Sequence, residues 1–131
     1  MQLSKFTDYT FRVLIYMATH QEELYTVEQL ATKLEVSEHH LKKVIYKLAK
    51  TEYLISIKGR SGGLKLGLPP EEINLWELLK ATEDNLCIVE CIKSEMNCNF
   101  LTKECKLKGI IKESLHQFIE VFSRYTLQDI L

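Results

Sequence analysis

Apolar residues fall into blocks of differing period along the chain. From Ser4, the residues Phe6, Tyr9, Val13, Leu14 and Met17 recur at three- and four-residue steps, which gathers them on one face of a helix ending near His20. Thr26 followed three residues later by Gln29 has the form of a capping box, and Val27, Leu30, Ala31 and Leu34 give the short helix it opens an apolar face. Ser37 stands where it can cap a third helix, over about 38–50. There Leu41, Val44, Ile45 and Leu48 form the inward stripe, and His39, His40, Lys42, Lys43, Tyr46 and Lys47 are left outside.

After Glu52 the period shortens to two. Tyr53 to Lys58 and Leu64 to Leu66 read as strands joined by the turn Gly59-Arg-Ser-Gly-Gly63. Pro69 and Pro70 punctuate the chain, and Asn74 with Glu77 opens a further capped helix bearing Ile73, Leu75, Trp76, Leu78 and Leu79. A loop with the cysteines follows. From about Leu107 to Tyr125, the residues Leu107, Ile110, Ile111, Leu115, Phe118, Val121, Phe122 and Tyr125 make one stripe along a long helix. This order predicts a mainly α fold with a small β wing. A winged helix-turn-helix domain would occupy 1–68, and 69–131 would hold the cysteine loop and a long C-terminal dimerisation helix. The stripe is too long for a lone arm in water, so it predicts a homodimer built through that helix.

Charge sharpens the picture. The net charge of the 131 residues is only -1, but the distribution is uneven: Lys42, Lys43, Lys47, Lys50, Lys58, Arg60 and Lys65 are opposed between 39 and 65 by Glu52 alone. A phosphate-binding surface must come from that stretch. The candidate DNA contacts are therefore His39, His40, Lys42, Lys43, Tyr46 and Lys47 on the third helix, with Lys58 and Arg60 at the wing tip, where an arginine suits the narrow minor groove. Adjacent on a helix, His39 and His40 point about 100° apart, which favours phosphate or surface roles over a shared metal. No apolar run approaches the roughly 20 residues of a membrane span, and the start MQLSKFTDYTFR lacks an apolar signal segment, so a cytoplasmic protein is expected.

All 4 cysteines fall between 87 and 105. In a reducing compartment, clustered cysteines are more often metal ligands or redox-active thiols than bridges. Cys91, Cys98 and Cys105 are spaced C-x6-C-x6-C, too wide for zinc knuckles and suited to a larger iron-sulfur cluster, 4Fe-4S or 2Fe-2S. The polar neighbours from Lys93 to Glu104 argue for a surface loop rather than a packed core. Cys105 precedes the long helix, whose partial positive end favours thiolate. Cys87, in the apolar run Leu86-Cys-Ile-Val89, is as well suited to packing as to ligation.

Taken together, the start MQLSKFTDYTFRVLIYMA, the wing KGRSGGLKLG and the ending YTLQDIL resemble the NsrR and IscR type of winged-helix iron-sulfur regulators over nearly the whole chain. The resemblance implies a homodimer that binds a double-stranded DNA operator. Each subunit would hold a cluster through three loop cysteines, which map here onto Cys91, Cys98 and Cys105. It implies a fourth ligand too. In the nitric-oxide-sensing branch this is an aspartate of the first helix from the partner subunit, matched by Asp8; the other branch uses a histidine three residues after the last cysteine, where this chain has Lys108. Cys87 is the alternative fourth donor. The expected function is a repressor that releases its genes when nitric oxide, or a change in iron-sulfur or redox status, disrupts the cluster. Two rivals fit less of the sequence: a same-fold regulator using zinc or metal-free thiol chemistry, and a small electron carrier. With no phosphate loop, nucleophile motif or telling carboxylate pair, no enzymatic activity is expected.

Overall fold

A computed structural model describes residues 2–89 and 105–131. Helix α1 runs over Lys5–Thr19, its first turn closed by Ser4 Oγ, which accepts from the Thr7 amide at 3.2 Å. Helix α2, Val27–Leu34, begins with the reciprocal box expected of Thr26 and Gln29: Gln29 N–H donates to Thr26 Oγ1 at 3.2 Å and Thr26 N–H to Gln29 Oε1 at 2.8 Å. It stops at Glu35, whose left-handed backbone (φ 53°) turns the chain sharply into α3, Glu38–Leu48. Ser37 occupies the cap position of α3, but its side chain makes no capping hydrogen bond.

Strands β1, Leu54–Ile57, and β2, Gly63–Leu66, pair antiparallel with Leu54 opposite Leu66 and Ile57 opposite Gly63. The turn between them depends on glycine. Gly59 has φ 107°, and a Cβ on Gly62 would stand 2.0 Å from the Ile57 carbonyl oxygen. The wing is also sewn to the helices by a bridge between Tyr25 and Leu64, with each amide donating to the other's carbonyl at 3.1 and 2.8 Å. A 3-10 turn over Pro70–Glu72 leads to α4, Leu75–Thr82; the long helix α5 spans Lys106–Ser123, and a last 3-10 turn covers Leu127–Ile130.

One core joins these elements. Val13, Leu14, Met17, Leu30, Leu41, Val44, Ile45, Leu48, Leu54 and Leu64 pack with Ile73, Leu78 and Leu127. The inward stripe expected for α3 is buried in full, and its outward residues are exposed. Fully burying one leucine side chain is worth about 1.5–3 kcal/mol, so this cluster dominates the stability of the head. Two features depart from the apolar pattern of α1. Thr7 and Thr10 are completely buried, and Thr7 Oγ1 donates to Thr82 Oγ1 at 3.0 Å, closing a polar contact between α1 and α4. Along α5, by contrast, no residue is buried; Leu107 and Ile110 are each 60% exposed.

Candidate nucleic-acid interface and metal centre

Helix α3 presents one continuous polar face. Glu38, His39, His40, Lys42, Lys43, Tyr46 and Lys47 are all exposed, because the four inward positions recur at helical spacing and roll the rest outward. The face is not uniformly available. Lys42 pairs with Glu38 one turn earlier, and that hydrogen bond and attraction raise the Lys42 pKa. Lys47 lies 4.7 Å over the Phe6 ring and 3.9 Å from the Asp84 carboxylate. His40 tilts toward Tyr9 with ring centroids 6.5 Å apart, while His39 and His40 stand 5.8 Å apart in different planes. Lys43 makes no ion pair among the described residues.

Tyr46 and Lys50 form a unit that the sequence pattern did not single out. The Lys50 ammonium sits 4.0 Å over the Tyr46 ring, and its hydrogen bond and charge lower the phenol's pKa. Tyr46 is 67% exposed, so ring and ammonium together offer a flat apolar surface with an adjoining donor. At the wing, Lys58 and Arg60 flank Gly59 on an exposed tip. The outward residues of α3 and those of the wing tip are thus displayed on two projections of one head.

The described part of the cysteine region is sparse. Cys105 and Cys87 are free thiols, each partly buried. Cys105 is the N-cap residue of α5 and makes no side-chain capping bond, and its position puts the sulfur near the positive end of an 18-residue helix. The Cys87 amide donates to Asn85 Oδ1 at 2.9 Å. Cys91 and Cys98 lie outside the described residues, and among those described no three ligating side chains converge. Asp8 sits in the first turn of α1, half-exposed, with Arg12 Nε 3.0 Å from its carboxylate.

Glu83, just past α4, went unremarked in the sequence because a lone acid after a helix carries no pattern. It accepts from the Ser4 amide at 2.7 Å. Burial raises its pKa, but hydrogen bonds from Thr7 and Ser4 and the charge of Lys47 outweigh that and hold the carboxyl below the usual range. A cleft of about 400 Å³ lies here, lined by Ser4, Phe6, Lys47, Thr82, Glu83, Asp84 and Asn85. It brings α3 up to the segment that leads into the cysteines.

The profile of a known family, described as iron-dependent transcriptional regulators, matches residues 3–131. The chain belongs to the Rrf2 family. One Rrf2-type relative, the HTH-type transcriptional regulator NsrR of Halalkalibacterium halodurans, is 45% identical across 100% of this chain and 90% of its own length. Among solved structures, the global cysteine regulator CymR of B. subtilis superposes with a TM-score of 0.80 at 24% identity, covering 99% of this chain and 95% of that one. IscR of T. potens superposes at 0.78 and 20% identity, covering 99% and 85%. The winged-helix architecture expected from the sequence is therefore the Rrf2 architecture, with five helices and a two-stranded wing among the described residues. The chain is a transcriptional regulator, and no described helix is long and apolar enough to cross a membrane.

Proposed function

We propose that this chain is a homodimeric, DNA-binding repressor that senses nitric oxide through an iron-sulfur cluster. Residues 1–68 would read the operator, and residues 69–131 would sense and dimerise. In this reading α3 enters the major groove, where His39, His40, Lys43 and Tyr46 reach base edges and phosphates, joined by Lys42 and Lys47 once freed from Glu38 and Asp84. Lys58 and Arg60 reach the flanking minor groove. The unburied apolar face of α5 supports dimerisation, since exposed leucine and isoleucine of that extent are normally covered.

Cys91, Cys98 and Cys105 would hold the cluster, with Asp8 of the partner subunit or this chain's Cys87 as fourth donor. The observation that carries the sensing role is Cys105, a partly buried thiol standing at the N-cap of α5, where the helix's partial positive charge would suit an anionic centre. The chemistry of the donor set fits, because thiolates are the usual ligands of such clusters and an exposed carboxylate on α1 is accessible to a second subunit. A bound cluster would supply iron as the atom that nitric oxide recognises. The protein's part is mechanical. By holding the cluster, Cys105 would fix the start of α5 and the partner's Asp8 would fix α1 of the other subunit, so that the two recognition helices would keep one spacing. Without the cluster, Asp8 would be left to its pairing with Arg12 and that spacing would not be held.

Anaerobic purification followed by iron and sulfide analysis, with affinity for a palindromic duplex measured before and after nitric oxide, tests this. We expect a coloured protein that binds tightly and loses affinity on exposure. A triple Cys91→Ser, Cys98→Ser, Cys105→Ser variant that binds and responds as the parent does would overturn it. A colourless protein that retains zinc or no metal, and responds to oxidants through Cys87 to Cys105, would establish the thiol-switch reading instead.

A further inference from the structure

The two ends of α5 are held very differently. At its C-terminal end, Asn74 serves two helices at once. Its Oδ1 accepts from the amides of Trp76 and Glu77 at 3.0 and 3.2 Å, capping α4, while its Nδ2 donates to the carbonyl oxygens of Ser123 and Tyr125 at 2.9 and 3.3 Å, where α5 ends. Beside it the Leu75 amide donates to the Tyr125 carbonyl at 3.0 Å and the Leu127 amide to the Ile73 carbonyl at 2.8 Å, a short antiparallel bridge. Leu127 is wholly buried in the same core as Val13, Leu14 and Leu41. The following turn is locked by Asp129, which accepts from the Thr126 amide and hydroxyl at 2.7 and 3.0 Å.

At the other end of α5 stands Cys105, whose side chain makes no capping contact with the helix. Eighteen residues at about 1.5 Å each make a rod of about 27 Å, gripped at one end and presenting its sensing thiol at the other. The grip continues into the head. The far end of α4 is fastened to the start of α1 by the Thr7–Thr82 hydroxyl contact at 3.0 Å and the Ser4 amide to Glu83 at 2.7 Å, and α1 packs directly on α3.

We propose that Asn74, with Leu127 as its anchor, is a positioning residue that fixes the angle between α5 and the reading head, so that a displacement of Cys105 turns α3 instead of being absorbed at the joint. The proposal rests on the cluster-controlled reading above. It follows from the lever geometry: a rod hinged loosely at Ser123 would leave the head indifferent to events at Cys105, whereas four hydrogen bonds across the joint and one buried leucine make rod and head move together.

Asn74→Asp isolates the joint. Aspartate keeps an oxygen that can cap α4 but has no donor for the Ser123 and Tyr125 carbonyls, and it sets a negative charge beside them. In the anaerobically purified full-length protein, hydrogen exchange at the Leu75 and Leu127 amides should quicken by about tenfold or more, with the amides of α1 to α3 unchanged. Iron content, solution mass and duplex affinity of the cluster-free form should match the parent. The ratio of duplex affinities between cluster-loaded and cluster-free forms should fall by at least about fivefold. Leu127→Met, which keeps the core filled, should leave that ratio near the parental value. Unchanged exchange, or an unchanged ratio despite faster exchange, overturns the proposal. A parent whose loaded and cluster-free forms bind duplex equally overturns the regulatory reading instead, and the exchange measurement still decides whether Asn74 holds the joint.

Discussion

The reading head and the long helix are built on opposite principles. In the head, every inward position of α3 is buried and Leu14, Leu30 and Leu41 are wholly shielded from water; in α5, eighteen residues include none that is buried. Both sequences are amphipathic, so the difference lies in what each apolar face meets. The head finds its covering within one chain, and among the described residues α5 packs chiefly on α4. Intrinsic helix propensity contributes little against chain entropy, so a helix of this kind draws its stability from whatever packs on it. In the proposed dimer, the molecule would divide into a part that is covered within one chain and a part that draws its covering from a second copy.

Four experiments press on that contrast. The largest effect is expected in the head: Leu14→Ala should cost about 2–5 kcal/mol through lost burial and the cavity left behind. Thermal unfolding should shift down by on the order of 10 °C, and raising protein concentration should not restore it. Next, Leu107→Glu with Ile110→Glu on α5 should weaken dimerisation by about a hundredfold, read as halved mass in solution, while the head's circular dichroism is kept. A variant that stayed dimeric would place the subunit contact elsewhere. Arg60→Ala at the wing should then weaken operator binding without changing stability, and lower the slope of log affinity against log salt by about one if the guanidinium meets a phosphate. The smallest effect concerns Glu83. Because its pKa is held down in the folded state, the ionised carboxylate stabilises the fold above the ordinary carboxylate range, and that contribution is lost as pH falls through the depressed value. Unfolding curves between about pH 6 and about pH 3 should therefore fall less steeply for Glu83→Gln than for the parent.

Much of the head was legible from residues alone, and the reasons are local. The Thr26 and Gln29 box, the Leu41-Val44-Ile45-Leu48 stripe and the Gly59 to Gly63 turn each encode their structure within a few positions, and each is found where expected. Other features were hidden because nothing local marks them. Thr7 and Thr10 look like surface residues of α1, and Thr82, arriving from 75 positions away, gives Thr7 a buried partner that nothing local announces. Leu127 lies in a four-residue turn, too short to show a period, yet it is as buried as any leucine of the core. Serine before α3 suggested a cap that the Ser37 side chain does not make. For the candidate metal centre, the spacing of Cys91, Cys98 and Cys105 carried the argument, and the structure adds the setting of Cys105 at the head of α5. In the proposed reading, ligation would depend on where a loop closes in three dimensions and on a second subunit's α1, neither of which is written in residue order.

The stitch between Tyr25 and Leu64 has a consequence for how sequence can be told apart on DNA. Because the wing is bonded at its second strand to the connector between α1 and α2, it is tied to the head that carries α3, the helix proposed to enter the groove. The two projections behave like the jaws of a set calliper. A duplex whose groove width matches the gauge is gripped as it stands, whereas one that does not must bend or narrow to fit, and the cost of that deformation falls on the nucleic acid at base pairs the protein never touches.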